Sequence, residues 1–480
     1  MRKRRSFKKE LNQFEFLSVA KEVTEFTGFD IYIVGGFVRD LILSRNKFEI
    51  DFLVVGDGSA FATQFAKELG ISHINIFKNF GTAHFKYGDY DFEFVGARKE
   101  SYNKDSRNPS ITNGTFEDDI HRRDFTINSL AISLNKKNFG KVVDIFNGYE
   151  DIKNKLIKTP LDPFVTFNDD PLRIMRGIRF ASQLGFEISE STLDAMNQMR
   201  TRLSIISQER ITDELFKILA SPIPSVGLKY LYDTQVLHII FPEIANLAGV
   251  EQRKDFHHKD VFYHTCQVVD NIAQNTDDVY LRFAALVHDI AKPYTKRFVE
   301  GTGWTFHGHE DLGAKLMKSI FIRLKLPMYK LEYIKTLVKL HLRPIALAKE
   351  IVTDSAIRRL IVEADEFLED LITLCRADIT SKNPNKVTKY LKNYDRVMGR
   401  VLEVKEKDRL RAFQSPVRGE EIMTLLNLKP SKIVGVIKTS IEEAILEGII
   451  PNTYEVALEY LMQNYKRWIE EYNNSKTLST

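Results

Sequence analysis

Apolar and polar positions change rhythm once along this chain. From residue 14 to about 135, short β-rich runs alternate apolar with polar residues: DIYIV from Asp30, IDFLVV from Ile50, HINIF from His73, AHFKY from Ala83, YDFEFV from Tyr90 and TINSLAISL from Thr126. Period-two alternation predicts strands of a mixed sheet, and the stretches 17–26 and 59–69 between them read as helices. After Pro163 the spacing turns helical, with Leu172, Met175, Ile178 and Arg179 on successive turns, and it stays largely helical to the end. The expected fold is therefore α+β, a mixed-sheet head followed by an all-α body. Turn chemistry in KTPLD at 158–162 and loosened periodicity over 242–257 set the boundaries at 14–158, 159–242, 257–380 and 381–480.

Composition narrows the class. The 480 residues suffice for about three domains at roughly 150 residues each. Hydrophobic residues at 43% and charged residues at 28% are ordinary for a folded chain, and 24 Gly with 14 Pro exclude a collagen-like or linker-dominated one. Two cysteines, Cys266 and Cys375, form no CxxC and no disulfide framework, which fits a reducing cytoplasm. No apolar run approaches the roughly 18 residues of a membrane span, and the basic segment MRKRRSFKKE precedes no apolar h-region. A net charge of +4 is too near balance to demand a nucleic-acid partner.

Chemistry enters where a strand from Ile31 meets Gly35-Gly36, a helix opening near Phe37, and a second strand carrying Glu49 and Asp51. Residues i and i+2 on a strand share a face, so the two carboxylates can share a metal. Glycines allow close backbone approach to an anion, a helix N-terminus offers free N–H groups, and Arg39 adds a charged donor. Alone, a glycine pair is a tight turn and an acid pair a solvated face; in this order they assemble phosphate donors and metal ligands at one end of a sheet.

On these residues the chain resembles the class II tRNA nucleotidyltransferase (CCA-adding enzyme) and bacterial poly(A) polymerase family, of the DNA polymerase beta superfamily. The family's GGxVRDxLL and DxD match Gly35, Gly36, Val38, Arg39, Asp40, Leu41 and Leu43, then Glu49 and Asp51; Glu49 departs from the usual Asp by one methylene. RRDFTIN from Arg122 matches without a change, and the resemblance makes Asp124, at the start of a strand, the third catalytic carboxylate. Glu49, Asp51 and Asp124 would then hold Mg²⁺. The polar, aperiodic stretch 103–121 reads as a mobile loop.

Asp169-DPLRIMRGIRF opens a helix in which Asp170 is the N-cap. Asp170 then serves as a cap and Arg173 pairs with Asp169, or, as the family pattern implies, Asp170 and Arg173 read the incoming base. The second role is chemically apt: cytosine and adenine each present an amino donor beside a bare ring nitrogen, which a carboxylate and a guanidinium complement. Uracil and guanine present the reverse and would leave buried polar groups unpaired. Arg176 and Arg210 are candidate nucleotide or RNA phosphate contacts. The segments from Asp144 (DIFNGYEDI) and Ser207 (SQERITDELFKIL) also resemble family connectors.

Six of the eleven histidines fall between His257 and His309. The series His264, His288, Asp289, His309, His341 and Asp378 has the order of an HD-domain metal centre, suited to a divalent ion that activates water for phosphoester hydrolysis. His257, His258 and His307 read as bystanders. The tail from Pro430, with Lys429, Lys432 and Lys438, resembles family helices that grip tRNA by shape and phosphate contacts. The resemblance implies a polymerase-beta-like nucleotidyltransferase head, helical neck, HD body and tail, adding CMP and AMP from CTP and ATP to the 3′ end of tRNA. The rival readings are a poly(A) polymerase or A-adding enzyme, an HD-type phosphohydrolase, and a non-catalytic RNA-binding module.

Overall fold

The alternating runs pair into a sheet. The computed structural model describes residues 6–46, 48–77, 81–103, 106–250, 260–301, 303–348, 352–381, 383–412, 415–446 and 449–477; His257 and His258 lie outside them. The strands of the N-terminal part are β1 (Asp30–Val34), β2 (Glu49–Val55), β3 (Asn75–Phe77), β4 (Thr82–Tyr87), β5 (Tyr90–Gly96), β6 (Arg98–Asn103), β7 (Ser106–Asn113), β8 (Ala131–Ser133) and β9 (Val142–Val143). Seven of them form one sheet in the order β3-β4-β5-β2-β1-β8-β9. Within it β2 and β5 run parallel and the other neighbours antiparallel.

One face of this sheet is aromatic. Phe52, Phe85, Phe92 and Phe94 are fully or almost fully buried with Phe61 and Phe65 from the Gly58–Glu68 helix. Phe52 stacks on Phe94 with ring centroids 4.6 Å apart, and Phe65 meets Phe52 at 5.9 Å. Each such ring contributes about 1.5–3 kcal/mol by leaving water, which fixes the strand register. The residues between these phenylalanines, Asp51, Asp91 and Glu93 among them, are thereby turned to the opposite face.

Two local expectations are corrected. The stretch 103–121 is not a loop: β6 and β7 pair antiparallel from Arg98↔Asn113, and Phe116–His121 is a helix. Backbone pairing within a two-stranded ribbon requires no apolar alternation, so no period was there to read. Thr115 caps the helix through a reciprocal pair with Asp118. Nor does a strand begin at Asp124. Thr126–Asn128 is a turn of 3-10 helix and strand starts only at Ala131, because side chains bond locally: Ser129 Oγ donates to the Phe125 carbonyl at 2.9 Å and Thr126 Oγ1 to Asp151 at 2.6 Å.

The chain divides into two compact units, Met1–Ala346 with Glu363–Leu391, and Leu347–Val362 with Lys392–Thr480. In the first, buried Arg282 donates to the carbonyls of Leu219 at 2.8 Å and Ser221 at 3.0 Å, satisfying the open C-terminal end of the Gln208–Leu219 helix. The second unit is helical, with Ile422, Ile437, Ile441, Leu461 and Trp468 in its core. Among the described residues no helix is long and apolar enough to cross a membrane.

Candidate active site and metal centre

The head site forms where β1 ends. Val34 pairs with Asp51, and the chain then turns at Gly35 (φ 73°) into the Gly36–Ile42 helix. A Cβ on Gly35 would stand 3.0 Å from Asp51 Oδ2 and 3.3 Å from Arg123 Nη1. Glycine is thus required twice, by its left-handed backbone and by the carboxylate pressed against it. The parallel pairing of β2 and β5 sets Glu49 beside Asp91 and Asp51 beside Glu93, so four carboxylates share one face. His84 on β4 stands opposite Glu93 and contacts Asp91. Desolvation, and then the negative charge of Asp51, raise the pKa of Glu93. Crowded acids of this kind are relieved by a cation.

Beside this face runs a buried charge chain. Arg39 Nε and Nη2 each reach Asp40 at 2.9 Å, and Nη1 donates to Asn128 Oδ1 at 2.8 Å. Asn128 Nδ2 donates to Asp124 Oδ1 at 3.1 Å, while Asp124 Oδ2 accepts from Arg176 Nε at 2.8 Å and Nη2 at 2.6 Å. Burial would raise the Asp124 pKa, but Arg176 and then Asn128 outweigh it and hold it at about 2. The guanidiniums of Arg39, Arg176 and Arg179 lie 5.2, 5.5 and 4.4 Å from the Phe180 ring centroid.

The two arginines opening RRDFTIN turn back onto buried Asp119: Arg122 Nε donates at 2.9 Å and Arg123 Nη2 at 3.1 Å. Asp170 is extended and is the C-cap of the Pro163–Asp169 helix; the N-cap of the next helix is Pro171 rather than the expected Asp170, whose Oδ1 still accepts from Leu172 N at 3.1 Å and whose Oδ2 stands 3.7 Å from Arg210 Nη2. Buried Arg173 donates to the carbonyls of Thr166 at 3.3 Å and Arg122 at 2.5 Å. Asp170 and Arg173, expected from the sequence to read the base, therefore sit at the junction of the RRDFTIN segment and the Leu172–Leu184 helix.

The second cluster lies among the body helices. Ligand atoms of His264, His288 and Asp378 gather within 4.8 Å of one another, as do those of Asp289, His309 and His341. His288, His309 and His341 each donate Nδ1–H to a carbonyl three residues back, at 2.8, 2.7 and 2.6 Å, and His264 Nδ1 meets Thr380 Oγ1 at 3.0 Å. The three bonds to carbonyls require Nδ1–H and so aim the Nε2 of His288, His309 and His341 inward, as in histidine metal sites. Buried His288 Nε2 lies 3.1 Å from Asp289 Oδ2 and 3.5 Å from Asp378 Oδ1, and among the described residues no partner meets it at the angle of a good hydrogen bond. Burial lowers the pKa of His288, yet Asp289 and then Asp378 drive it up to about 10; burial and then His288 push His341 down to about 4. The donor set suits a divalent transition metal. His307 is exposed.

Comparison with known proteins covers the segments that carry both clusters. Residues 31–158 match the poly A polymerase head domain, 185–247 the probable RNA and SrmB-binding site of polymerase A, and 261–383 the HD domain. The A-adding tRNA nucleotidyltransferase of Deinococcus radiodurans is 30% identical over 448 residues, 92% of this chain and 95% of its own length. The chain belongs to the tRNA nucleotidyltransferase family. Another relative, the CC-adding tRNA nucleotidyltransferase of Thermus thermophilus, is 29% identical over 91% of this chain and 94% of its own. Among solved structures, a CCA-adding enzyme in its second apo form shares the fold at a TM-score of 0.62, with 22% identity over 97% of this chain and all of that one.

Within this family framework, sequence reasoning missed Glu93 and the placement of Arg123. The run YDFEFV repeats on β5 the i, i+2 acid spacing of β2, a legible signal, but only the parallel register shows that Glu93 stands next to Asp51.

Proposed function

We propose that this nucleotidyltransferase adds CMP and AMP from CTP and ATP to the 3′ end of tRNA, in the cytoplasm, where its two buried free thiols stay reduced. The observation carrying the proposal is the carboxylate face of β2 and β5 set against Gly35, in a chain with this family membership. Glu49 and Asp51, joined by Glu93, hold Mg²⁺ there. Bound there, two such ions would lower the pKa of the RNA 3′-hydroxyl and stabilise the charge of the departing pyrophosphate. The 3′-hydroxyl gives up its proton to solvent, its oxygen bonds to the α-phosphorus, and the bond from that phosphorus to the bridging oxygen of pyrophosphate breaks.

Gly35 and Gly36 let the backbone approach the triphosphate. All four hydrogen bonds to Asp124 come from Phe125 N, Asn128 and Arg176, so we assign it to orienting Arg176 rather than to ligating metal. Arg39, committed to Asp40 and Asn128, supports the same network. Asp170 and Arg173 select the base, the guanidinium held in place by its two carbonyl partners. The head 14–158 does the chemistry, the neck 159–242 holds nucleotide and RNA, the body 257–380 carries a divalent metal, and the tail 381–480 contacts tRNA.

A second reading, that this chain adds only part of CCA, is favoured by the A-adding and CC-adding relatives. One experiment separates the readings. Purified protein with Mg²⁺ is given tRNA truncated before each position of CCA and each labelled nucleoside triphosphate in turn. Successive C and A incorporation without U or G is expected; A alone or C alone on the matching truncation replaces the first reading by the second, and no incorporation on any substrate overturns both.

A further inference from the structure

The body carries a ribbon that no step of nucleotide addition uses. Arg297–Val299 and Gly303–Thr305 pair antiparallel in the connection between the Lys292–Thr295 and His309–Arg323 helices. We propose that this hairpin is a docking platform for single-stranded RNA, with an unpaired base stacked on Phe298 and the neighbouring phosphates set against Lys296 and Arg297. The choice of RNA as the nucleic acid rests on the addition reading; the platform rests on the hairpin alone.

The register puts two rings on one face. Phe298 stands opposite Trp304, so both side chains leave the ribbon on the same side, with ring centroids 5.3 Å apart and planes at 75°. This edge-to-face contact fixes the orientation of the Phe298 ring, yet 56% of the residue is exposed. A ribbon with three residues on each strand has no core of its own in which to bury such a ring.

Cations are laid against the rings of the same segment. Lys296 Nζ lies 4.4 Å from the Trp304 centroid, and Lys292 Nζ lies 5.7 Å from that of Phe306 while also donating to Asp289 Oδ2 at 2.6 Å. Arg297 is exposed, and among the described residues no carboxylate pairs with it or with Lys296. The segment 292–307 holds three Lys and Arg residues against one acid, Glu300, which lies in the turn. The positive charge is therefore not neutralised from within the hairpin.

An open ring beside free cations suits a strand of nucleotides, each of which brings a flat base and a negative phosphate. A base-paired duplex keeps its bases stacked on one another and out of reach of Phe298. An acidic peptide answers the charge and leaves the ring open. Single-stranded nucleic acid uses both features at once.

The chain has two tryptophans, Trp304 and Trp468, so Trp468→Phe leaves Trp304 as the only indole, placed in the hairpin. Full-length protein with that change is titrated with a short oligouridylate, an RNA duplex of equal length and oligoglutamate, and the emission of Trp304 is followed. Oligouridylate is expected to quench it to saturation, about tenfold more tightly than the duplex, and to weaken as salt rises. Phe298→Ala should cost about tenfold in affinity, the scale of one lost base–ring stack. Lys296→Gln should reduce the salt slope by about 0.7, one phosphate contact on a single strand. Emission indifferent to oligouridylate, equal affinity for the duplex, or a Phe298→Ala chain that binds as tightly as its parent overturns the platform; tighter binding of oligoglutamate gives the face to an acidic protein segment instead. Melting curves verify that Trp468→Phe folds; if it does not, thiouridine-containing oligomer is photocrosslinked to the unsubstituted chain, with adducts at Phe298 or Trp304 expected and adducts confined to other segments overturning the proposal. Nucleotide incorporation by the unsubstituted chain is measured separately, so the platform and the addition reading fail independently.

Discussion

The two candidate sites solve the same problem, holding cations beside carboxylates, in opposite ways. In the head, Glu49 and Glu93 are exposed on an open sheet face and Asp51 is half-buried against a glycine. In the body, His288, Asp289, His309 and His341 are buried, and each imidazole is fixed by a hydrogen bond through its far nitrogen. An open acid face keeps its cost of charge low in water and can be completed by the phosphates a substrate brings. A buried one must be completed by ions resident in the fold, because uncompensated charge there costs several kcal/mol. On the proposed reading, metal in the head would be tied to turnover, and metal in the body to stability as well.

The largest test of that contrast is Asp51→Asn. It should lower nucleotide incorporation by about a thousandfold or more, the scale of losing a charge-stabilising ligand at the reacting phosphate, while the melting temperature stays within about 2 °C. Incorporation above a tenth of the unsubstituted rate would show that the acid face is not the reaction centre. Next is Gly35→Ala. Its methyl carbon meets Asp51 Oδ2 at 3.0 Å in a left-handed backbone. A cost of about 1–2 kcal/mol in stability is expected, with a tenfold to hundredfold fall in incorporation as the carboxylate is displaced; single-turnover kinetics beside denaturant titration separate the two. The third test is read in stability alone: Arg176→Met strands the buried Asp124 charge. Because Arg176 is itself 34% exposed, about 1–3 kcal/mol of stability is expected to be lost. Adding Asp124→Asn should return most of it, and a double-mutant cycle without such coupling would refute the pairing as a stability element.

How much of this was legible can be followed residue by residue. Gly35, Glu49 and Asp51 announce themselves because turn, strand period and acid spacing are local properties. The RRDFTIN segment was legible as a motif yet misread as strand, since its turn is held by side-chain bonds from Thr126 and Ser129 that compete with sheet pairing. The ribbon of β6 and β7 was invisible for the converse reason, its order residing in backbone pairing without apolar alternation. The six candidate ligands of the HD segment stand out by their order and by the run ALVHDIAKP around His288 and Asp289, but nothing in their spacing tells that they gather as two triads.

By itself the sequence determined the element types of the head strands, the glycine turn, the acid pair and the identity of every histidine in the body, because periodicity and turn chemistry act within a few residues. Only the tertiary structure decided that Glu93 stands beside Asp51, that Asp124 is committed to Arg176, and that the HD ligands fall into two groups. Those facts depend on strand register and on helix ends brought together from residues far apart in sequence, which hydrophobic burial sets for the fold as a whole and no local pattern encodes.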